Sequence, residues 1–405
     1  MRALAAGRVI TCDLARDGLL GAIDDGAVLV EGGSVRYVGP RSGLPAGVEL
    51  IELGDRVITP GLVDAHTHAC WVGSRHDEYA ARLAGADYRD LGAAGGGVLA
   101  THRAVAAASD AELDAALLAR LRRMAGLGVT TVEVKSGYGL EASLEKKQLR
   151  AIARVAQQDN VPAVVPTLLA LHALPPSARA DRAAYVAEVA ERLVPEVAAA
   201  ALARFVDVYV DVDAFRVDEA RRVCESARAC HLGIRLHVGQ FADLGGAELA
   251  ASVGAASVDH LEHVSAAGIS ALAHAGVAAV LLPVASFTLG QPAPPVPALR
   301  EAGVPLVVAS DSNPGTAPTE SLPLALALAV RSYGLSPEEA LLGATRLAAA
   351  SLRLEDRGLL REGARADLVV WDLPHERSIV QPWGAPRTHL VLRAGRPIAG
   401  IQDKA

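Results

Sequence analysis

The chain has 405 residues, with 39 Lys and Arg against 46 Asp and Glu, a formal charge of 39 − 46 = −7. That balance excludes the basic stripe that would make nucleic acid the main partner. A composition 51% hydrophobic and 21% charged excludes a disordered chain, and the length asks for one large domain with an accessory domain, or for two domains.

The four cysteines, Cys12, Cys70, Cys224 and Cys230, form no CxxC pair. Reduced thiols in a cytoplasmic protein are expected. The start of the chain carries Arg8 and Asp13 where a signal peptide needs a longer apolar run. The most apolar interior stretches, 277–289 and 322–330, are too short to span a bilayer, so no membrane association is expected.

In chain order, the first fifty-odd residues read as short strands and turns. Residues 26–33 and 34–39 form a predicted hairpin with glycines at its turn. From there the chain alternates between Val/Leu-rich runs and Ala/Arg/Glu stretches of helical periodicity. Predicted strands cover 61–68, 129–135, 163–172, 205–212, 234–238, 257–261, 278–284 and 305–310. Predicted helices include 110–127, 180–203, 217–230 and 247–253. Eight such units favour a (β/α)8 TIM-like barrel over a doubly wound open sheet. Glycines at 92–97 and prolines at 292–297 mark two long loops. The far end turns strand-like again at 366–372 and 389–393. The expected organisation is therefore an α/β chain: residues 1–56 and 357–405 form one small β-sandwich domain from both termini, and 57–356 form the barrel.

Catalytic groups of such barrels come from the C-terminal ends of several strands. The first run ends Asp64-Ala-His66-Thr-His68, with two histidines on one face of a strand. The fifth ends Arg235-Leu-His237, the sixth Asp259-His260 and the eighth Ser310-Asp311-Ser312-Asn313. His66, His68, His237 and Asp311 make a His3Asp set suited to Zn2+ or Fe2+ with an open position for water. Water bound in such a site is acidified and becomes a hydroxide nucleophile. Asp311 is placed to take its proton, and His260 to orient the water or stabilise an oxyanion. The fourth run has no lysine to bridge a second metal, so one ion per chain is expected. Lys135, at the end of the second run, pairs with Glu133 or reaches a neighbouring strand end. His231, His263 and His274 read as helix-end or surface residues.

Around the mouth, Arg75 stands just past the first run, Tyr138 after the second, and His172 ends the third. Arg75 either recognises a carboxylate bidentately or forms a surface ion pair with Asp77 or Glu78. Asn313-Pro-Gly-Thr316 either binds a polar group through Asn313, the Gly315 N–H and Thr316, or is a plain turn.

The chain resembles the metal-dependent amidohydrolase superfamily through Pro60-Gly-Leu-Val-Asp-Ala-His-Thr-His68. Within it, the chain is similar to the imidazolonepropionase family through several further stretches. These are Ala94-Gly-Gly-Gly97, Thr130-Thr-Val-Glu-Val-Lys-Ser-Gly-Tyr-Gly139, Leu171-His-Ala-Leu-Pro175, Ala256-Ser-Val-Asp-His-Leu261 and Ser310-Asp-Ser-Asn-Pro-Gly-Thr316. They span nearly the whole barrel.

The resemblance implies one Zn2+ or Fe3+ per chain on His66, His68, His237 and Asp311. It implies substrate contacts from Arg75, Tyr138, His172, Gln240, Asn313, Gly315 and Thr316, a tyrosine near the substrate carboxylate at Tyr88, and His260 beside the metal water. The implied reaction opens the ring C–N bond of 4-imidazolone-5-propanoate, a small anion, giving N-formimidoyl-L-glutamate by a single metal-bound hydroxide. The implied catalytic residues are His260, Asp311 and Gln240, and a homodimer is the expected assembly. After His237 the family pattern of Ala-Asp-Glu/Gln is replaced by Val238-Gly239-Gln240, and the fourth strand lacks the glutamate-lysine-glycine often found there. An amide at 240 shifts proton transfer to Asp311 and His260. Two other readings remain. A heterocycle deaminase would have no anion for Arg75 and His172 to meet. A non-catalytic barrel with a structural metal would need no open coordination position.

Overall fold

The structure, a computed structural model, describes residues 2–86, 88–93, 95–383 and 385–400, with side chains omitted at 88, 89 and 93. Tyr88 has its side chain outside the described residues, as does Ala94 of the Ala94–Gly97 run.

The eight alternating apolar runs form eight parallel strands in sequential order: Leu62–Asp64, Val129–Lys135, Ala163–Leu171, Phe205–Val210, Gly233–Val238, Ser257–His260, Ala278–Leu281 and Leu306–Val308. The first and eighth meet at the mouth. Thr67 bridges Ser312, His68 N–H donates to Ser312 O at 3.0 Å, and Asp311 N–H donates to His66 O at 3.1 Å. The seam that closes the barrel thus carries three of the four expected metal ligands.

Helices wrap the strands because their apolar stripes have nowhere else to go. Asp110–Gly126 buries Leu113, Leu117 and Leu121, spaced four apart on one face. It starts at a Ser109/Glu112 capping box, which satisfies N–H groups that the first turn leaves open. The predicted 180–203 helix runs unbroken over 182–199, with a π-turn at Val189–Leu193 just before Pro195. The seventh strand stops at Leu281, because Pro283 sits at the first position of a new helix, Pro283–Leu289, where its fixed φ and missing N–H are tolerated.

The terminal segments form one mixed sheet. Its strand order is Arg396–Gly400, Thr388–Arg393, Leu368–Trp371, Val57–Pro60, Arg2–Ile10, Ala22–Glu31 and Ser34–Pro40, with Glu49–Glu52 pairing parallel to Arg2–Ile10. Leu4, Val28, Val38, Ile58, Leu368 and Leu392, drawn from along that order, pack into one cluster, so the sheet wraps its own core. The predicted hairpin turns at Gly32 and Gly33, both at positive φ (60° and 84°), which two-residue hairpin turns require. Val57–Pro60 belongs to this sheet, and Gly61 N–H still donates to Asp367 O, so the passage to the barrel falls later than the sequence-based boundary at 57. Among the described residues no helix is long and apolar enough to cross a membrane.

Candidate active site

The histidines of the first run lie just past the strand, at the barrel mouth, and are buried with His237 of the fifth. His66 Nε2 and His237 Nε2 each lie 3.3 Å from His68 Nε2. Asp311 Oδ1 lies 3.5 Å from His66 Nε2 and 3.4 Å from His68 Nε2. His66 Nδ1 is held by Asp259 at 2.8 Å and His237 Nδ1 by Asp207 at 2.9 Å. A carboxylate on Nδ1 fixes that nitrogen as the donor and leaves Nε2 with its lone pair, the arrangement that metal-binding imidazoles use. Burial, with cationic and imidazole neighbours, holds His66 and His68 well below their ordinary pKa, so both are neutral and able to ligate.

Acceptor atoms thus converge from four side chains. This donor set fits a metal ion. Burial pushes the Asp311 carboxyl up to about 7, against the pull of His260 and the Asn313 amide. A cation beside it would draw it back down. Asp311 (φ 54°) and His260 (φ 83°) both hold left-handed backbone, which costs a non-glycine residue about 1–3 kcal/mol and gathers at functional sites.

Beneath the ligands lies a buried charged layer. Lys135 Nζ sits 2.9 Å from Glu133, 2.7 Å from Asp207 and 3.9 Å from Asp259, so it does both things its position allowed. Burial alone would lower the Lys135 ammonium, but Asp207, Glu133 and Asp259 outweigh it and the net shift is upward. Arg235 donates to Ala65 O at 2.8 Å and lies 3.6 Å from Asp259. The roles of Asp207 and Asp259, which orient the ligand imidazoles, are absent from the sequence reading. The signal available was an acid inside each of two Val-rich barrel strands, where an uncompensated charge is not tolerated.

Above the ligands opens a cavity of about 730 Å³. Arg75 lines it, 8% exposed, and forms the ion pair that was one of its two readings, in the cavity wall rather than on the surface: its Nε and Nη2 donate to Glu78 at 2.9 and 2.7 Å. Tyr138 and His172 stand nearby, ring centroids 5.5 Å apart, with His172 stacked on His68 at 5.3 Å. The loop carrying Tyr138 is tied down by Glu145, which accepts from the Gly137 and Leu140 N–H groups, and by Gln148, which accepts from the Tyr138 N–H. Burial pushes His172 down to about 4. Its Nδ1–H donates to Gly137 O at 2.7 Å, which leaves Nε2 as an acceptor. His260 faces Glu262 at 3.7 Å; the pair outweighs burial and holds His260 above its ordinary range.

The sequence profile of the amidohydrolase family matches residues 57–399. Imidazolonepropionase of Paracoccus denitrificans is 42% identical over 399 residues, 98% of this chain and 99% of its own length. The imidazolonepropionases of Caulobacter vibrioides (44%) and Xanthomonas oryzae pv. oryzae (45%) align over 386 residues, 94% of this chain and 96% and 95% of theirs. The chain belongs to the imidazolonepropionase family of amidohydrolases. Solved structures share the fold at lower identity. A triazine hydrolase variant superposes with a TM-score of 0.73 at 17% identity, covering 98% of this chain and 94% of that one. Atrazine chlorohydrolase from Arthrobacter aurescens TC1, complexed with zinc, gives 0.71 at 16%, covering 99% and 95%. An adenosine deaminase from Xanthomonas campestris with bound zinc gives 0.69 at 20%, covering 98% and 92%.

The family is metal-dependent, and the chain is a hydrolase of C–N bonds. The remaining expected site residues divide. Gln240, Asn313 and Thr316 line the cavity. Asn313 spends its side chain on the turn itself: Oδ1 accepts from the Gly315 and Thr316 N–H groups, and Nδ2 donates to Asp311 O and Thr316 Oγ1. The expected backbone contact from Gly315 to substrate therefore has no free N–H behind it. Gly315 instead gives Arg75 room, since a Cβ there would lie 2.1 Å from Arg75 Nη1. Exposed His231, His263 and His274 lie away from the site, as read; His263 precedes the helix rather than sitting on it.

Proposed function

We propose that this chain hydrolyses 4-imidazolone-5-propanoate to N-formimidoyl-L-glutamate, in line with the imidazolonepropionases it matches over nearly its whole length. The observation that carries the reading is a cavity with His68, His237 and Asp311 at its floor, His66 packed against them, and a guanidinium in its wall.

His66, His68, His237 and Asp311 would hold one metal ion. Glu133, Asp207 and Asp259 against Lys135 and Arg235 give 2 − 3 = −1, and an ionised Asp311 makes −2, a balance that a single divalent ion neutralises. Lys135, tied to three carboxylates, is not available to bridge a second ion. A bound metal supplies Lewis acidity, lowering the pKa of water and polarising a carbonyl.

Asp311 accepts the proton of the attacking water. His260, whose protonated form Glu262 favours from 3.7 Å, stabilises the negative charge that grows on the ring oxygen as the carbon becomes tetrahedral. The ring C–N bond then breaks, and Asp311 passes its proton to the departing nitrogen, so the product is the substrate plus one water. Arg75 holds the propanoate, with Tyr138 completing the wall. His172, neutral and presenting an acceptor nitrogen, shapes that wall, and the hold on the anion rests on Arg75.

The test is ring opening of synthetic imidazolonepropanoate by metal-loaded protein, followed by mass spectrometry and an ammonia assay. A product heavier by one water, with no ammonia released, is expected. Release of ammonia, or no turnover, sinks the reading.

A further inference from the structure

Position 240 carries the amide rather than the carboxylate of a Glu-or-Gln position, and the structure gives the amide a defined direction. Gln240 is pinned at three points. Its backbone N–H donates to Asp211 Oδ2 at 2.8 Å, its carbonyl accepts from Gln291 Nε2 at 2.9 Å, and its side-chain Oε1 accepts from Tyr209 Oη at 2.8 Å. Asp211 also accepts from the N–H groups of Phe241 and Ala242 at 3.0 and 3.1 Å, so the whole turn after the fifth strand is fixed. Tyr209 projects from the fourth strand, and its ring packs 5.7 Å from His237 and 6.4 Å from His172, centroid to centroid. Both Tyr209 and Gln240 line the cavity. A phenol is the stronger donor and an amide oxygen the stronger acceptor, so their bond sets Oε1 towards Tyr209. Nε2 is then the end left for the cavity, and no residue among those described accepts from it.

We infer that Tyr209 is a positioning residue that turns the Gln240 amide so that its NH2 faces the bound ring, offering a hydrogen-bond donor where a carboxylate at 240 would offer an acceptor. The inference rests on the imidazolonepropanoate reading and deepens it. This chain recognises an acceptor atom of the ring at position 240, through a pair of residues drawn from the fourth and fifth strands.

The test is steady-state kinetics of metal-loaded Tyr209→Phe, Gln240→Met and the double variant, with metal content and Tm measured on each. A neutral hydrogen bond lost at a binding site corresponds to a rise in KM of about three- to tenfold, and kcat should change much less. The double variant should match Gln240→Met alone, because Tyr209 acts through the amide. Gln240→Glu keeps an acceptor for Tyr209 but removes the donor, so its KM should also rise. Wild-type KM in Tyr209→Phe, multiplying effects in the double variant, metal loss in Tyr209→Phe, or wild-type KM in Gln240→Glu would each overturn the inference while the wild type still opens the ring. A wild type that does not open the ring overturns the function and this inference together.

Discussion

Two layers at the same end of the barrel are built on opposite principles. Below the ligand nitrogens, Glu133, Lys135, Asp207, Arg235 and Asp259 are fully buried and bonded to one another across neighbouring strands. Above them, Arg75, Tyr138, Gln240 and Asn313 come from loops past the strand ends and face a cavity. The lower layer has regular strands as its scaffold, and its geometry follows from barrel register. The upper layer is tied piece by piece by side chains outside the reaction, such as Glu78, Glu145, Gln148 and Asp211. A buried charge network fixes the side chains proposed to hold the metal, and a set of anchored loops fixes those proposed to meet the substrate.

The largest expected effect separates metal from scaffold. Chelation should abolish turnover, and added Zn2+ should restore it, while far-UV circular dichroism stays unchanged. Asp259 and Asp207 hold His66 and His237 through bonds made within the protein. Unfolding on chelation would mean that the charged layer cannot stand without the ion, and the comparison would fail.

Next is Lys135→Met, which leaves three carboxylates with one buried cation fewer. Removing one partner of a buried ion pair costs about 3–5 kcal/mol, which urea unfolding will read directly. Adding Asp207→Asn to that variant should recover part of the loss, since one uncompensated charge goes with it. Wild-type stability in Lys135→Met would show that the layer is not a charge-balanced unit.

In the upper layer, Arg75→Ala should lower kcat/KM at least about tenfold, since a charge-assisted hydrogen bond is worth about 1.5–3 kcal/mol. Arg75→Lys should recover only part, because the planar fork is lost. An analogue without the carboxylate should be indifferent to either change. Equal loss on both compounds would make Arg75 a loop anchor.

The two layers were also unequally legible in the sequence. His66, His68, His237 and Asp311 sit at the ends of apolar runs, where periodicity alone marks a barrel mouth, and the structure brings them together. Asp207 lies inside such a run, and its role depends on which side chain the next strand presents; only the parallel register, His237 opposite Tyr209, supplies that. Tyr209 was hidden for the same reason. The early end of the seventh strand turned on Pro283, which starts a helix where an unbroken apolar run suggests continuity. Gly315 was read as a donor because a turn glycine near a metal ligand suggests an open N–H. Its actual constraint is spatial, and space around a residue is not written in its neighbours along the chain.

That spatial constraint gives the smallest effect and the sharpest probe of the upper layer. In Gly315→Ala the new Cβ would fall 2.1 Å from Arg75 Nη1 and 2.5 Å from Cζ, so the guanidinium must move. Gly315 is not among the glycines with positive φ, so its backbone accepts alanine without strain. The displacement therefore acts on Arg75 rather than on the turn. A shifted guanidinium keeps its charge and can still reach an anion, but with poorer alignment, so KM should rise a few-fold, less than in Arg75→Ala. Neither kcat nor metal content should follow. In the Arg75→Ala background the collision is gone, and Gly315→Ala should then have no further effect on KM. If it still raises KM there, the Gly315 backbone itself meets the substrate, as the plain sequence reading had it. The anchored-loop account of this wall would then have to give Gly315 back its place among the binding groups.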